Sequence, residues 1–279
     1  MSLGITDDAH YTAIASAIRA KVGTDSTYAP SQMASAIEGI QAGGGGDSQT
    51  DELLARTITS YVNSTAKSIG TCAFAGCSSL STIEMTACEH IDGMSCFDGC
   101  VSLTNVSLPA CTSLFGGGTF CYLSNLSTVD LPVCPKLPVM TFGGCTNLTS
   151  VNAPACTSVG SMAFQSCTAL TAIYLPACES VDAYAFQGCT ALVVASIPVC
   201  TVLSTSAFAN CTNLISLYLD GVSAVPSILA GSDYFSSTPI GGYSDVAGQY
   251  GSIFVPASLA DAFRADRYWS YFSSRIVGV

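Results

Sequence analysis

Phenylalanine and leucine recur along this sequence at a nearly fixed interval. Successive phenylalanines stand 23, 23, 22, 22, 22 and 22 residues apart, and a leucine follows each of them by six residues. The phenylalanines are Phe74, Phe97, Phe120, Phe142, Phe164, Phe186 and Phe208, and the leucines are Leu80, Leu103, Leu126, Leu148, Leu170, Leu192 and Leu214. One such unit cannot bury its own apolar side, whereas stacked units bury a continuous core, so the period predicts a solenoid.

Each leucine opens a short segment that has the pattern of a leucine-rich repeat. The stretch "LTAIYLPAC" (170–178) reads L-x-x-I-x-L-x-x-C, a pattern with one short strand per turn. Strand alternation places Ile173 and Leu175 inward and Tyr174 outward, and Pro176 marks where pairing stops. The rest of the unit, "ESVDAYAFQGC", is too short and too rich in Ser and Gly for a regular helix. We therefore predict an α/β-type leucine-rich-repeat solenoid of mostly short parallel strands with irregular returns, in about seven repeats of 22–23 residues.

The segments outside the repeats predict the domain boundaries. We assign the repeats to residues 74–229, an N-terminal cap or degenerate repeat to 51–73, and a C-terminal cap to 230–279. In the C-terminal cap we expect a strand, a short helix and a plug around Trp269, the only tryptophan. Helical spacing predicts a helical hairpin over 1–42, followed by a Gly-rich linker over 43–50. A hairpin of about 40 residues seldom folds alone, so residues 1–42 are expected to form a homo-oligomer or to dock on another protein.

The charge distribution excludes several classes of partner. The net charge is −11, and between Cys72 and Leu219 the only basic residue is Lys136. A nucleic-acid-binding protein needs clustered Lys and Arg to neutralise phosphates, so we exclude nucleic acid, and on the same ground an anionic membrane surface. No run of 18 apolar residues occurs, so we expect no direct insertion into a membrane.

Cysteine falls every eleven residues from Cys134 to Cys211, which raises the question of chemistry. Disulfides along a ladder are disfavoured, because strands stack about 4.8 Å apart with parallel Cβ vectors, wider than the Cβ separation of a disulfide. A Cys₄ zinc site would need Cys77 and Cys100, which belong to the regular series. A Cys88–His90 dyad would need a thiolate at an inward, apolar position. We interpret the cysteines as small buried residues whose thiols satisfy backbone carbonyls, and we predict no catalytic residue, cofactor or metal.

The outward strand positions are the candidate ligand-binding residues. The inward framework repeats, whereas the outward row changes from acidic and polar residues at the front to tyrosines at the back. The candidates are Glu84, Asn105, Ser107, Thr128, Asp130, Asn152, Tyr174, Ser196 and Tyr218. Tyr, Ser and Asn are typical of adaptable recognition surfaces. The alternative is that small polar residues solvate a sheet in which tyrosine is a good strand former.

Two stretches of the sequence resemble known families. The repeat "CTALTAIYLPACESVDAYAFQGC" is similar to the BspA-like leucine-rich repeat of surface proteins from bacteria and some protists, and "IFVPASLADAFRADRYWSYF" is similar to the C-terminal cap common in gut-Firmicute members. This resemblance implies a non-enzymatic adhesion or ligand-binding module, at the cell surface or secreted, whose partner is a host or cell-surface protein or glycan.

A second resemblance gives an alternative function. The stretch "ITDDAHYTAIASAIRAKVGTDSTYAPSQMASAIEGI" (5–40) resembles the opening of phage and prophage tail proteins of Gram-positive bacteria. That resemblance implies a tail-associated structural or receptor-binding protein of a virion.

Overall fold

The strands of the chain stack in parallel, one turn of the coil after another. The computed structural model describes residues 56–93, 96–228, 234–242 and 250–279. The predicted hairpin at 1–42, the linker at 43–50 and self-association through residues 1–42 lie outside the described residues and stay predictions.

The first ladder is formed by the strands that the leucine pattern predicts. Its members pair in parallel and in register, so that equivalent residues of successive turns lie side by side. They are β1 (Ser60–Val62), β3 (Thr82–Glu84), β5 (Asn105–Ser107), β7 (Thr128–Asp130), β9 (Ser150–Asn152), β11 (Ala172–Tyr174), β13 (Val194–Ser196), β15 (Ser216–Tyr218), β17 (Ser252–Val255) and β18 (Ile276–Gly278). The bonded ladder is interrupted once, between β9 and β11.

A second ladder of two-residue strands runs along the returning side of each turn, where only irregular chain was predicted. These strands also pair in parallel, in two groups that divide between β6 and β8. They are β2 (Ser68–Ile69), β4 (His90–Ile91), β6 (Ser113–Leu114), β8 (Lys136–Leu137), β10 (Ser158–Val159), β12 (Ser180–Val181), β14 (Val202–Leu203) and β16 (Ser227–Ile228). The second residue of each pair is buried, which adds one apolar side chain per turn to the core.

The solenoid has about nine turns, two more than the seven repeats predicted. The extra turns come from the degenerate ends. At the front, β1 and β2 complete a turn although the Phe–Leu spacing is absent there. At the back, β17 continues the ladder although its first residue pairs with Ser216, 36 positions earlier in the sequence (252 − 216).

The phenylalanines form one continuous column through the core. Eight rings, from Phe74 to Phe235, are stacked with centroids 4.9–6.0 Å apart and successive planes within 29° of parallel. Tyr61 closes the front of the column edge-on at 5.0 Å, and Phe272 closes the back edge-on at 5.0 Å. Burying each aromatic side chain contributes about 1.5–3 kcal/mol, so the column is a main source of stability.

Where the structure describes both positions, the return bends through left-handed backbone two residues before and two residues after its phenylalanine. In the turn of Phe164, Met162 and Ser166 have φ of 58° and 59°. The same two positions are left-handed in other turns, where the second is often glycine, as at Gly188 (φ 73°). Left-handed backbone is strained for residues with a Cβ, so the tight corner is held by the stack around it rather than by local preference.

The C-terminal cap contains the predicted strand, short helix and plug. After β17 come a 3₁₀ turn (Ala257–Leu259), helix α1 (Ala260–Ala265) and a second 3₁₀ segment (Trp269–Arg275) that leads into β18. Trp269 is fully buried, and its indole N–H donates to the Pro226 carbonyl at 2.9 Å. Its ring meets the Phe263 ring edge-on at 5.2 Å, so Trp269 covers the open end of the core.

Candidate functional site

The predicted candidate residues stand on the outward side of the first ladder. Within the first ladder, the last residues of the strands from β3 to β15 form one row, which we call the outward row. Its members are Glu84, Ser107, Asp130, Asn152, Tyr174, Ser196 and Tyr218. Asn105 and Thr128 begin their strands and pair with each other in the parallel row beside it. All nine side chains are partly or fully exposed, whereas the middle residue of nearly every strand is buried.

The front half of the outward row is polar and partly bonded to itself. The Asn152 side-chain amide donates to Asp130 Oδ1 at 2.6 Å, one turn away. Glu84 stands exposed on β3 beside Ser107 on β5. This half offers carboxylate and amide groups at intervals of one strand spacing, about 4.8 Å.

The back half of the outward row is aromatic. Tyr174 is 62% exposed, and Tyr218 lies two strands further on, with Ser196 between them. The Tyr218 ring stacks on the Phe254 ring with centroids 4.5 Å apart and planes 12° from parallel. Exposed aromatic side chains next to small polar ones are the composition found at protein recognition surfaces.

The structure extends the outward row at both ends beyond the predicted residues. Val62 pairs with Glu84 at the front, and Phe254 and Val277 follow Tyr218 at the back. The signal for Phe254 is present in "SIFVP", where Ile253, Phe254 and Val255 alternate as Ile173, Tyr174 and Leu175 do. It was missed because the step from β15 to β17 breaks the 22-residue period.

The cysteines form two separate ladders within the core. All fifteen lie in the described residues as thiols, and thirteen of them are buried. In the first ladder each thiol follows a strand and donates to the carbonyl two residues later, with Sγ···O distances of 3.2–3.5 Å. Its members are Cys88, Cys111, Cys134, Cys156, Cys178 and Cys200.

The second cysteine ladder bonds one turn to the preceding turn, a contact that the sequence did not predict. The Cys189 thiol donates to the Phe164 carbonyl at 3.1 Å, and that carbonyl also accepts the Cys167 amide at 3.1 Å. The bonds of this kind, at 2.9–3.2 Å, come from Cys100, Cys145, Cys167, Cys189 and Cys211. These thiols therefore satisfy buried carbonyls between turns.

The electrostatic setting of the thiols opposes nucleophilic chemistry. Burial raises the pKa of Cys156 and of Cys200 to about 11, and that of Cys96 and of Cys100 to about 12. A nucleophilic cysteine needs a lowered pKa and partial exposure. Cys72 and Cys121 are the two partly exposed thiols, and burial raises the pKa of both.

The geometry around His90 does not assemble a dyad. The Cys88 thiol donates to the His90 backbone carbonyl, and burial raises the pKa of Cys88 to about 11. The His90 imidazole instead lies 3.8 Å from the Glu89 carboxylate. The Lys67 ammonium bonds the same carboxylate at 2.6 Å and lowers the pKa of Glu89.

Neither a metal cluster nor a membrane-spanning helix is present among the described residues. Within these ranges no three His, Cys, Asp or Glu side chains converge so that they could hold a metal ion. No helix in the same part of the chain has the length and apolar character needed to cross a bilayer.

Several solved leucine-rich repeat and internalin structures are similar to the chain at low sequence identity. A T. pallidum leucine-rich repeat protein is similar, with 22% identity over 65% of this chain and 78% of that one, at a TM-score of 0.44. A leucine-rich cell surface protein from Faecalibacterium prausnitzii is 20% identical over 72% of this chain and 74% of that one, at 0.37. An internalin from Listeria monocytogenes is 14% identical over 94% and 77%, at 0.43. No curated protein sequence matches the chain.

A protein-family model covers most of the solenoid. The BspA-type leucine-rich repeat region matches in six copies, over residues 56–155 and 133–237. These ranges cover more than half of the 279 residues and include β1 to β16. They also contain the Phe–Leu period and both cysteine ladders. The chain therefore belongs to the BspA-type leucine-rich repeat family.

Proposed function

We propose that this chain is a non-enzymatic recognition module that binds a protein or a glycan of another cell through its outward row. The observation that carries the proposal is the contrast between the two sides of the first ladder. Ile173, Ala195 and Leu217 are all apolar and point into the core on adjacent strands, whereas Tyr174, Ser196 and Tyr218 next to them face outward and alternate between aromatic and small polar side chains. Burial in the core explains the inward residues, whereas the 62% exposure of Tyr174 leaves most of its side chain available to a ligand.

The rigidity of the support favours recognition. Strand register fixes the position of each outward side chain, and side chains on regular strands are better ordered than those on loops. The Tyr218–Phe254 stack orders part of the surface before any ligand binds. Binding to such a preorganised surface costs little ordering entropy.

We place the module at a bacterial cell surface or in secreted form. Membership of a family of leucine-rich repeat surface proteins supports this location. The low content of charged side chains, 10%, is consistent with a surface that depends on Ser, Thr and Asn for solubility. The tail-protein alternative depends on residues 5–40 alone, and no described residue favours it.

A binding panel tests the proposal. Beads that carry the full chain would be presented to epithelial cells and to arrays of host cell-surface proteins and glycans. We expect retention that falls at least about tenfold, equivalent to 1.4 kcal/mol, for a Tyr174→Ala/Tyr218→Ala variant. The matched control is Tyr122→Ala, since Tyr122 is 69% exposed but lies on the returning side two residues after Phe120. Equal retention of the double variant and the native chain would contradict the proposal.

A further inference from the structure

The Tyr218–Phe254 stack determines which way the Tyr218 ring faces. The two residues pair on adjacent strands, β15 and β17, and their rings are almost parallel at 4.5 Å. Two rings on neighbouring strands can stack in this way only if their planes lie across the strand-to-strand direction. Phe254 therefore covers one face of Tyr218, and the other face is turned towards β13.

A slot lies on that open side of Tyr218. The residue of β13 in the outward row is Ser196, and its short side chain cannot cover the open face of the Tyr218 ring. Beyond Ser196 stands Tyr174 on β11, which is 62% exposed. Two strand spacings separate the strands of Tyr174 and Tyr218, about 9.6 Å. Since one aromatic stacking distance is about 4.5–5 Å, this width accommodates a single flat ring between Tyr218 and a Tyr174 ring that is turned towards it.

Charge defines what kind of ring can enter. Between Lys136 and Arg264 the sequence contains no Lys or Arg, so the strands of Tyr174, Ser196 and Tyr218 and the strands next to them, β9 and β17, carry no cation that could pair with an anionic ligand. An exposed carboxylate, Asp220, follows Tyr218 by two residues, whereas the acidic residues of the outward row lie further away, on β3 and β7. An acidic sugar or a phosphate would be repelled there, and a neutral ligand would not.

The chemistry of the slot favours a sugar ring. Aromatic faces carry partial negative charge and attract polarised C–H bonds. A ring held between two such faces must present C–H bonds on both sides, and a pyranose with all-equatorial hydroxyls, of β-gluco configuration, does so. Its equatorial hydroxyls then point outward along the ring plane, and one of them is directed at Ser196, the residue between the two tyrosines. An inserted aromatic side chain of a protein partner would leave the Ser196 hydroxyl without a bond.

We propose that Tyr174, Ser196 and Tyr218 form a subsite for one ring of a neutral β-gluco-configured glycan, such as a glucose or N-acetylglucosamine unit. This inference depends on the proposed function, because it names the ligand class of the same outward row.

Titration calorimetry of the full chain with cellotetraose and with chitotetraose tests the subsite. We expect one of the two to bind, and Tyr174→Ala to weaken binding about tenfold. Tyr174→Phe keeps the ring and is expected to bind as the native chain does. Ser196→Phe fills the slot with a third ring and is expected to abolish binding, with an unfolding midpoint no lower than that of the native chain. Tyr122→Ala serves as the unaffected control.

The outcomes separate this inference from the proposed function. If neither tetrasaccharide binds, and Tyr174→Ala and Ser196→Phe both weaken the binding of a protein ligand, the glycan subsite is overturned and the proposed function stands. Tetrasaccharide binding that neither variant weakens overturns the location of the subsite. Both proposals are overturned if no outward-row variant weakens the binding of any ligand, either in this assay or in the panel.

Discussion

The Tyr218 ring lies 4.5 Å from the Phe254 ring, stacked across two parallel strands that are 36 residues apart in the sequence (252 − 216). This pair joins the last regular turn to the C-terminal cap on the outside of the sheet. On the inside, Trp269 joins the same regions through its bond to the Pro226 carbonyl. The cap is therefore held to the solenoid from both faces of the first ladder.

A double-mutant cycle measures the outer contact. Aromatic pairs contribute about 0.5–1.5 kcal/mol beyond the area that they bury. We expect a coupling free energy of that size between Tyr218→Ala and Phe254→Ala in urea unfolding. The matched pair Tyr174→Ala and Phe254→Ala should be additive, because Tyr174 lies three strands from Phe254. Additivity within about 0.3 kcal/mol in both cycles would show that the stack does not stabilise the fold.

Removal of an inter-turn thiol should lower stability. The Cys167 thiol is fully buried and donates to the Phe142 carbonyl at 3.2 Å. Cys167→Ala leaves a small cavity and removes one of the two hydrogen bonds to that carbonyl, which keeps the bond from the Cys145 amide, so we expect the free energy of unfolding to fall by about 1–2 kcal/mol. Cys121→Ala, at a partly exposed thiol, should change it by less than about 0.5 kcal/mol. The same small effect at both positions would contradict a structural role for the ladder.

The buried thiols predict a loss of stability at alkaline pH. In the unfolded chain cysteine ionises near pH 8.5, whereas burial raises the pKa of Cys156 and of Cys200 to about 11. Above pH 8.5 the unfolded state therefore binds fewer protons than the folded state, and stability falls with pH until about pH 11. Below pH 8.5 both states are protonated and these groups contribute no slope.

Urea unfolding at pH 7.5, 9 and 10 checks this pH dependence. Between the two pKa values the free energy of unfolding falls by about 1.4 kcal/mol per pH unit, so each thiol should lower it by roughly 2 kcal/mol between pH 8.5 and pH 10. Other groups also titrate there, and a Cys156→Ala/Cys200→Ala variant controls for them. Its unfolding free energy should decline less steeply with pH than that of the native chain. Parallel pH curves for the two proteins would refute the assignment.

Thiol labelling tests the burial of the ladders residue by residue. With a small alkylating reagent at pH 8, followed by peptide mass spectrometry, we expect modification of Cys72 and Cys121 in the folded protein. The thirteen buried thiols should label only after denaturation. Rapid labelling of Cys189 in the folded chain would mean that the turns open at the second ladder.

The repeated parts of the molecule could be predicted from the sequence. The alternation of Ile173, Tyr174 and Leu175 placed two side chains in the core and one outside, and the structure agrees. The position of Trp269 as a plug also followed from its place after the last repeat. Both predictions rest on burial, which hydrophobic periodicity reports directly.

The features that were missed depend on contacts between turns. Two-residue strands such as Ser158–Val159 carry no periodicity of their own and exist because the neighbouring turns pair with them. The left-handed backbone of Met162 is invisible in the sequence, since methionine gives no local preference for it. Phe254 was not assigned to the outward row, because the 36-residue step (252 − 216) hides its alignment with Tyr218.

An alanine scan along the outward row tests the central claim most directly. Glu84, Asp130, Tyr174 and Tyr218 would each be replaced by Ala, and the affinity for the strongest ligand of the panel measured beside the free energy of unfolding. We expect at least one variant to bind about tenfold more weakly with its stability within about 1 kcal/mol of the native chain, and Tyr122→Ala to bind normally. Native affinity in all four variants would contradict the account, and weakened binding in Tyr122→Ala would then place recognition on the returning side.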